Sequence, residues 1–443
     1  MAQPINATAQ RHLKRNFSMG LLNGAFFNLF SALLEPSLVL SWFVSQLTTS
    51  NFLIGLITPI QSGGWLLPQL LVSGYLQRRQ RKLPFYARMS VARVVIWGLM
   101  TSAVFLTEDA AVLLVVFFTL QAAYSLAAGL AGICFVDIVA KAIPATRRGA
   151  FFGWRRFVGG FLALGGSLWV KYILDEGRGL AFPDNYAILF LLSFFILCIA
   201  MGCFILVVEP LEPVNEERVS LGRQFRRALD LPRRESNYRR FLTMRLLLMA
   251  AEIATPFYIV YAKRALSVSV SMVGVYLMGT TLASFASNLL WGRISDRQGN
   301  KLLLILSNVL GLLMPLTVLS IGPLADLWPG LGELAPSLFA LVFVLSGGYK
   351  SGTMIGNLNF MLEIAPADDR PIYIGFTNTV MGVALLASSV GGLIVDMTGF
   401  TVLFSLALAF YAVALFLTLK LQEPRHETQV TAGALQRIQN QTD

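Results

Sequence analysis

The sequence predicts an all-α membrane protein: twelve transmembrane helices arranged as two pseudo-symmetric six-helix bundles. Three observations carry this. The chain of 443 residues is 56% hydrophobic and only 13% charged, far more apolar surface than one water-soluble core of this length needs. Apolar runs long enough to cross a bilayer recur from end to end, at about 19–45, 51–75, 85–107, 110–140, 152–174, 185–208, 239–262, 270–294, 301–322, 335–361, 371–395 and 400–420. One long polar stretch, EPLEPVNEERVSLGRQFRRALDLPRRESNYRR, divides those runs into six and six.

Each run must satisfy its own backbone hydrogen bonds in lipid, and each is too long and too continuously apolar for the alternating ten-residue strands of a barrel, so the runs are helices. The first and tenth are long enough to require a tilt or kink. The first fifteen residues are polar and basic, as in a signal peptide, but the run that follows is too long and carries Glu35, so it is read as a retained helix.

The net charge of +11 is explained by where the cations fall. Arg11, Lys14 and Arg15 precede span 1, Arg78, Arg79, Arg81 and Lys82 follow span 2, and eight arginines lie in the polar stretch after span 6, the last two, Arg239 and Arg240, opening span 7. These and the other inter-span cations cluster on one side, which places both termini in the cytoplasm. Anionic lipid headgroups account for the basic excess, so no nucleic-acid partner is needed. Cys134, Cys198 and Cys203 sit inside spans without metal-like spacing, and the only histidines, His12 and His426, lie in the tails, so no metal site is expected. The sequons at Asn6, Asn16 and Asn440 fall on the cytoplasmic side, where they stay unmodified.

The expected domains are an N-terminal bundle over 1–210, a cytoplasmic linker over 211–238 and a C-terminal bundle with its tail over 239–443. Leu221, Phe225 and Leu229, among arginines, fit either a short amphipathic helix or a disordered basic linker. An internal repeat supports two related halves. Pro144, Arg148 and Gly153 correspond to Pro366, Arg370 and Gly375, each 222 residues later, while Gly74 pairs with Gly292 and Glu35 with Glu252 at offsets of 218 and 217.

The loop WGRISDRQGNK, residues 291–301, joins spans 8 and 9. Here the chain resembles the major facilitator superfamily, whose loop signature is roughly G-x-x-x-D-R-x-G-R-K, with Gly292, Asp296, Arg297, Gly299 and Lys301 in its places. The resemblance extends over the whole chain through helix number, halves and loop positions. It departs in three places: Arg78 stands where the first-half copy would have its aspartate, span 4 has Gln121 and Tyr124 but no arginine, and span 5 lacks the proline of the drug-antiporter signature.

The resemblance implies a secondary transporter that moves a small organic solute by alternating access, with spans 1, 4, 7 and 10 lining a central cavity between the halves. Those four spans carry Glu35, Asp137, Glu252 and Lys350. Ionisable groups at such depth are costly and face a wet cavity or a partner. Glu35 and Glu252 are the candidate proton-coupling groups, because a desolvated glutamate loads and releases a proton near physiological pH. Glu35 snorkelling to the outer interface and Glu252 in a static ion pair with Lys350 are the structural alternatives.

Gly348, Gly352 and Gly356 form a stripe at every fourth residue that suits close packing, which directs Lys350 to the opposite side with Ser346 and Asn357. Lys350, Asn357 and the span 1 stripe of Asn28 and Ser31 are the candidate substrate contacts. Gly292, Asp296, Arg297, Gly299, Asp137, Arg148 and Arg370 are the candidate cytoplasmic gate. A cavity with both signs of charge suits a zwitterion or an amphipathic organic anion.

No enzymatic chemistry is expected, since neither a P-loop nor a carboxylate or histidine cluster occurs at a membrane surface. The proton gradient replaces a cofactor as the energy source, the partners are the solute and membrane lipids, and the chain works as a monomer in a bacterial inner membrane. Export is the direction that family analogy favours. The rival reading is a non-transporting receptor or assembly factor on the same fold.

Overall fold

The computed structural model of the chain describes residues 7–65, 79–175, 177, 179–211, 230–327, 329–366, 370–386 and 390–423. Within them the chain is helical and has no strand. Its main helices are α1 (Leu13–Leu33), α2 (Ser41–Leu47), α3 (Asn51–Gly55), α4 (Leu83–Leu106), α5 (Ala110–Ala142), α6 (Ala145–Ile173) and α7 (Asp184–Ile205). After residues 212–229, where the Leu221–Phe225–Leu229 stripe lies outside the described residues, come α8 (Ser236–Ala251), α9 (Thr255–Ala265), α10 (Met272–Gln298) and α11 (Asn300–Leu327). The chain continues with α12 (Ala340–Ile364), α13 (Arg370–Leu386), α14 (Val390–Thr398) and α15 (Phe400–Leu419).

Among the described residues, ten helical segments are long and apolar enough to cross a membrane, so the protein is an integral, multi-pass membrane protein. Two predicted spans are not among the ten. The run at 51–75 leaves the described residues after 65, and the run at 152–174 falls in the 29-residue α6, whose Arg155, Arg156 and Lys171 lower its hydropathy.

The residues fall into two compact units. The first comprises the chain up to Arg218 with Thr255–Thr281 and Leu385–Phe400, and the second holds Val219–Ala254, Leu282–Ala384 and the chain from Thr401.

In the first unit α1 packs against α6 through small residues. A methyl group on Gly20 would meet Phe151, on Gly24 Arg155, and on Gly166 Leu29. The polar side chains of α1 are spent on the neighbouring backbone. Asn23 Nδ2 donates to the Ala200 carbonyl at 2.7 Å, and buried Asn16 exchanges two hydrogen bonds with Val208, so this sequon is shielded by packing as well.

In the second unit the glycine stripe of α12 faces α11 as the sequence predicts: Gly348 abuts Leu310, Gly352 abuts Ser307 and Trp291, and Gly356 abuts Leu303 and Leu304. Trp291 Nε1 adds a hydrogen bond to the Gly348 carbonyl at 3.1 Å.

A glutamate closes the corresponding end of each unit. Glu209, after α7, accepts the backbone N–H groups of Lys82 and Leu83 at 2.8–3.0 Å, capping the start of α4, and lies 3.5 Å from Lys141. Glu423, after α15, accepts the N–H of Lys301 at 2.7 Å at the start of α11. Negative charge belongs at a helix N-terminus. Because Glu209 also serves buried Lys141, Glu209→Ala should cost about 2–3 kcal/mol, more than Glu423→Ala, a ranking that thermal unfolding in detergent would reverse if the lysine contact adds nothing.

Candidate functional site

The predicted seventh span is interrupted at Glu252. α8 ends at Ala251, Glu252–Ala254 form a 3₁₀ turn, and α9 starts at Thr255. The cause is Pro256, which has no N–H to give the Glu252 carbonyl four residues earlier. The break leaves the Glu252 side chain exposed rather than packed into the helix face.

A cavity of ≈ 400 Å³ in the second unit is lined by Arg245, Glu252, Lys350, Asn357 and Asn378 with a wall that includes Met354 and Leu358. This volume is within the range of small-molecule sites. The structure thus brings Glu252, Lys350 and Asn357 to one cavity, while Ser346 is buried instead of joining them. Two further participants are not among the predicted site residues. Arg245, two turns before Glu252, supplies a second cation. Tyr349, itself buried, donates its hydroxyl to Glu252 Oε1 at 2.7 Å. Lys350 masks Tyr349 in the sequence, since neighbours on a helix point about 100° apart and only one of the two looked out of place in lipid.

The first unit carries the other candidates. Its predicted first span is also broken, after Leu33, where Pro36 withholds an N–H from the Ala32 carbonyl. That carbonyl accepts from the Glu35 N–H instead, and a short π-helical turn, Pro36–Leu40, precedes α2. The half-buried Glu35 carboxylate accepts from Ser37 Oγ at 2.7 and 2.9 Å. Asn28 and Ser31 are exposed and donate to carbonyls of their own helix, those of Gly24 and Phe27. The arginine absent from span 4 arrives from α4: buried Arg93 donates to Tyr124 Oη at 2.7 Å, and its guanidinium lies over the Phe27 and Tyr124 rings.

The sequence pattern of the Major Facilitator Superfamily matches residues 240–439. The match takes in most of the second half of the chain, including the 291–301 loop. The fold agrees over nearly the full length of solved transporters. One is a D-xylose-proton symporter, 16% identical, with a TM-score of 0.68 over 93% of this chain and 99% of that one. A nucleoside transporter is 14% identical, TM-score 0.67, over 92% and 100%. A bacterial homologue of the iron transporter ferroportin in an inward-facing state is 11% identical, TM-score 0.63, over 93% and 98%. No curated protein matches the sequence. The fold of the chain is thus that of solved membrane transporters.

The superfamily loop at 291–301 closes α10. Asp296 and Arg297 are exposed, and Gly299 adopts φ +94°, a left-handed turn that glycine tolerates. A Cβ there would come within 2.6 Å of the Glu423 carboxylate, so the glycine also admits the cap of α11. Asp137 sits between Lys82 at 2.8 Å and Lys141 at 2.9 Å. Arg148 donates back to the carbonyls of Ile143 and Ala140, bracing the α5–α6 turn. The Arg370 side chain and Gly74–Arg78 lie outside the described residues.

At the other end of the first unit, a polar latch joins segments that are distant in sequence. Asp396 of α14 accepts from Asn51 Nδ2 at 2.7 Å and from the N–H groups of Asn51 and Phe52, at the start of α3. Arg264 of α9 donates to Asn51 Oδ1 at 3.0 Å and to the Thr49 carbonyl at 3.2 Å. Lys263 donates to Ser45 and Gln46 at the end of α2 and lies over the Trp42 ring. Gly392 abuts the Asn51 backbone, and Gly274 abuts that of Lys171.

Proposed function

We propose that the protein is a transporter of the Major Facilitator Superfamily, proton-coupled, that moves a small organic solute by alternating access. The observation that supports it is Glu252, exposed at a helix break into the same cavity as Arg245, Lys350 and Asn357. Broken membrane helices are where transporters of several folds build solute and ion sites, and a carboxylate beside cations is a group whose protonation responds to what else the cavity holds.

In this reading Glu252 carries the coupled proton, with Glu35, at the corresponding break of the first half, as a second titrating group. Lys350 and Asn357 contact the solute, and Asn28 and Ser31 present polar groups from the first half. Asp137, Arg148, Gly292, Asp296, Arg297, Gly299 and Arg370 form the cytoplasmic gate, with both termini on that side of a bacterial inner membrane. No cofactor enters the cycle, and a monomer suffices.

The test is reconstitution of the purified protein in liposomes loaded with a pH-sensitive dye. Addition of a transported solute should move protons as well as solute. A solute that crosses with no accompanying proton flux would overturn the coupling, and a protein that moves no member of a broad metabolite panel would overturn transport.

A further inference from the structure

The charges of the second unit's cavity narrow the class of solute. Two cations, Arg245 and Lys350, line it against one carboxylate, Glu252, and one oxygen of that carboxylate already accepts the Tyr349 hydroxyl at 2.7 Å. The remaining polar lining is carboxamide and hydroxyl, from Asn357, Asn378 and Thr353. With Glu252 ionised the wall carries an excess of one positive charge, and with Glu252 protonated an excess of two. A zwitterion leaves that excess in place, and a cation adds to it.

We infer that the cavity takes an organic monocarboxylate: its carboxylate lies between Arg245 and Lys350, and its apolar body lies on the wall of Met354, Leu358, Met361 and Ile374. Guanidinium and ammonium groups are the natural partners of a carboxylate, and methionine side chains adapt to varied apolar shapes. This deepens the transporter reading and rests on it for the direction of movement, though not for binding.

The inference has a second consequence, in the sign of the proton linkage. Glu252 and the bound carboxylate compete for the same two cations. Filling the site with an anion therefore offsets the positive field that favours a second negative charge there, and the protein takes up a proton as it binds the solute. The titratable groups that face Glu252 are Arg245 on α8 and Tyr349 and Lys350 on α12, with Tyr411 of α15 stacked edge-on against Tyr349. The empty site with ionised Glu252 and the filled site with neutral Glu252 carry the same net charge. Proton and anion then travel together, so an inward proton gradient drives uptake, the reverse of the export that family analogy favours.

The test uses the full-length protein in detergent at fixed ionic strength, with lactate, benzoate and hexanoate as probes, each beside its amide and the corresponding amine. At least one carboxylate should stabilise the protein saturably in a thermal-shift assay, with its amide and amine at least tenfold weaker. Binding should consume protons from weak buffer and tighten several-fold for each pH unit lowered between 7.5 and 5.5.

Lys350→Met and Arg245→Met should each weaken binding at least tenfold, while Lys350→Arg retains it and so separates loss of charge from loss of fold. The inference is overturned if the amine or amide binds as well as the acid, if none of the carboxylates binds, or if binding releases protons. A carboxylate that binds but never crosses liposomes would instead overturn transport and leave the anion site standing.

Discussion

Glu252→Gln is expected to abolish solute accumulation driven by a pH gradient while sparing solute-for-solute exchange. Glutamine is nearly isosteric, and its carbonyl oxygen still accepts the Tyr349 hydroxyl, so the local geometry of the 2.7 Å contact survives. What disappears is titration. A permanently neutral side chain resembles the protonated state, so the solute site stays available at every pH, and exchange, which needs no net proton movement, continues. Accumulation should fall by about tenfold or more, a loss of at least about 1.4 kcal/mol of coupling. The ratio of gradient-driven uptake to counterflow in proteoliposomes measures it. If Glu252→Gln keeps the full pH dependence, the proton travels elsewhere. Tyr349→Phe removes the hydrogen bond and keeps the titrating group, so it should alter the pH at which accumulation peaks more than its extent.

Gly392→Leu is expected to hold the polar latch of the first unit open. The glycine lies so close to the Asn51 carbonyl and the Phe52 Cα that any Cβ would run into backbone, which has no rotamer by which to withdraw. Forcing the segments apart would stretch the contacts of Asp396 with Asn51 and Phe52 and those of Arg264 with Asn51 and Thr49. Several charge-assisted hydrogen bonds at about 1.5–3 kcal/mol each outweigh what one leucine gains by burial. Transport should drop by an order of magnitude or so if the latch must close in each cycle. A cysteine in place of buried Leu47 at the end of α2, in a background lacking Cys134, Cys198 and Cys203, should become reactive to a membrane-impermeant maleimide. Normal transport with an unreactive Leu47→Cys would mean that the latch is incidental.

Much of this architecture could be read from composition and spacing, because lipid imposes simple demands. Twenty apolar residues announce a helix, and a charge inside one announces a cavity or a partner. The four-residue glycine interval assigned the packed face of α12 and, by exclusion, the direction of Lys350, whereas the break at Pro256 lies inside a run that composition alone presents as continuous. Other features were hidden for physical reasons. Tyr349 is as much at home in an apolar helix as phenylalanine is, and only its hydroxyl contact reveals its role. Arg245 shares a helix face with Glu252, but seven residues of separation in the sequence do not say that both reach one cavity. Arg93 compensates from α4 for a charge expected in α5, a substitution in space that no single span discloses. The capping glutamates stood in plain view as Glu209-Pro210 and Glu423-Pro424, 214 residues apart, directly after spans 6 and 12. Nothing local says that a residue at the end of one helix serves the beginning of another.

The seam between α11 and α12 bears on how such a molecule could move. Three glycines in register against Leu303, Leu304, Ser307 and Leu310 leave no slack for sliding, and Trp291 pins the Gly348 carbonyl from a third helix. These segments should therefore travel as a single stiff bar through any working cycle. Spin labels on the exposed residues Leu306 and Val344, one on each side of the seam, would keep a constant separation and give a built-in ruler against which displacements of the other helices could be read.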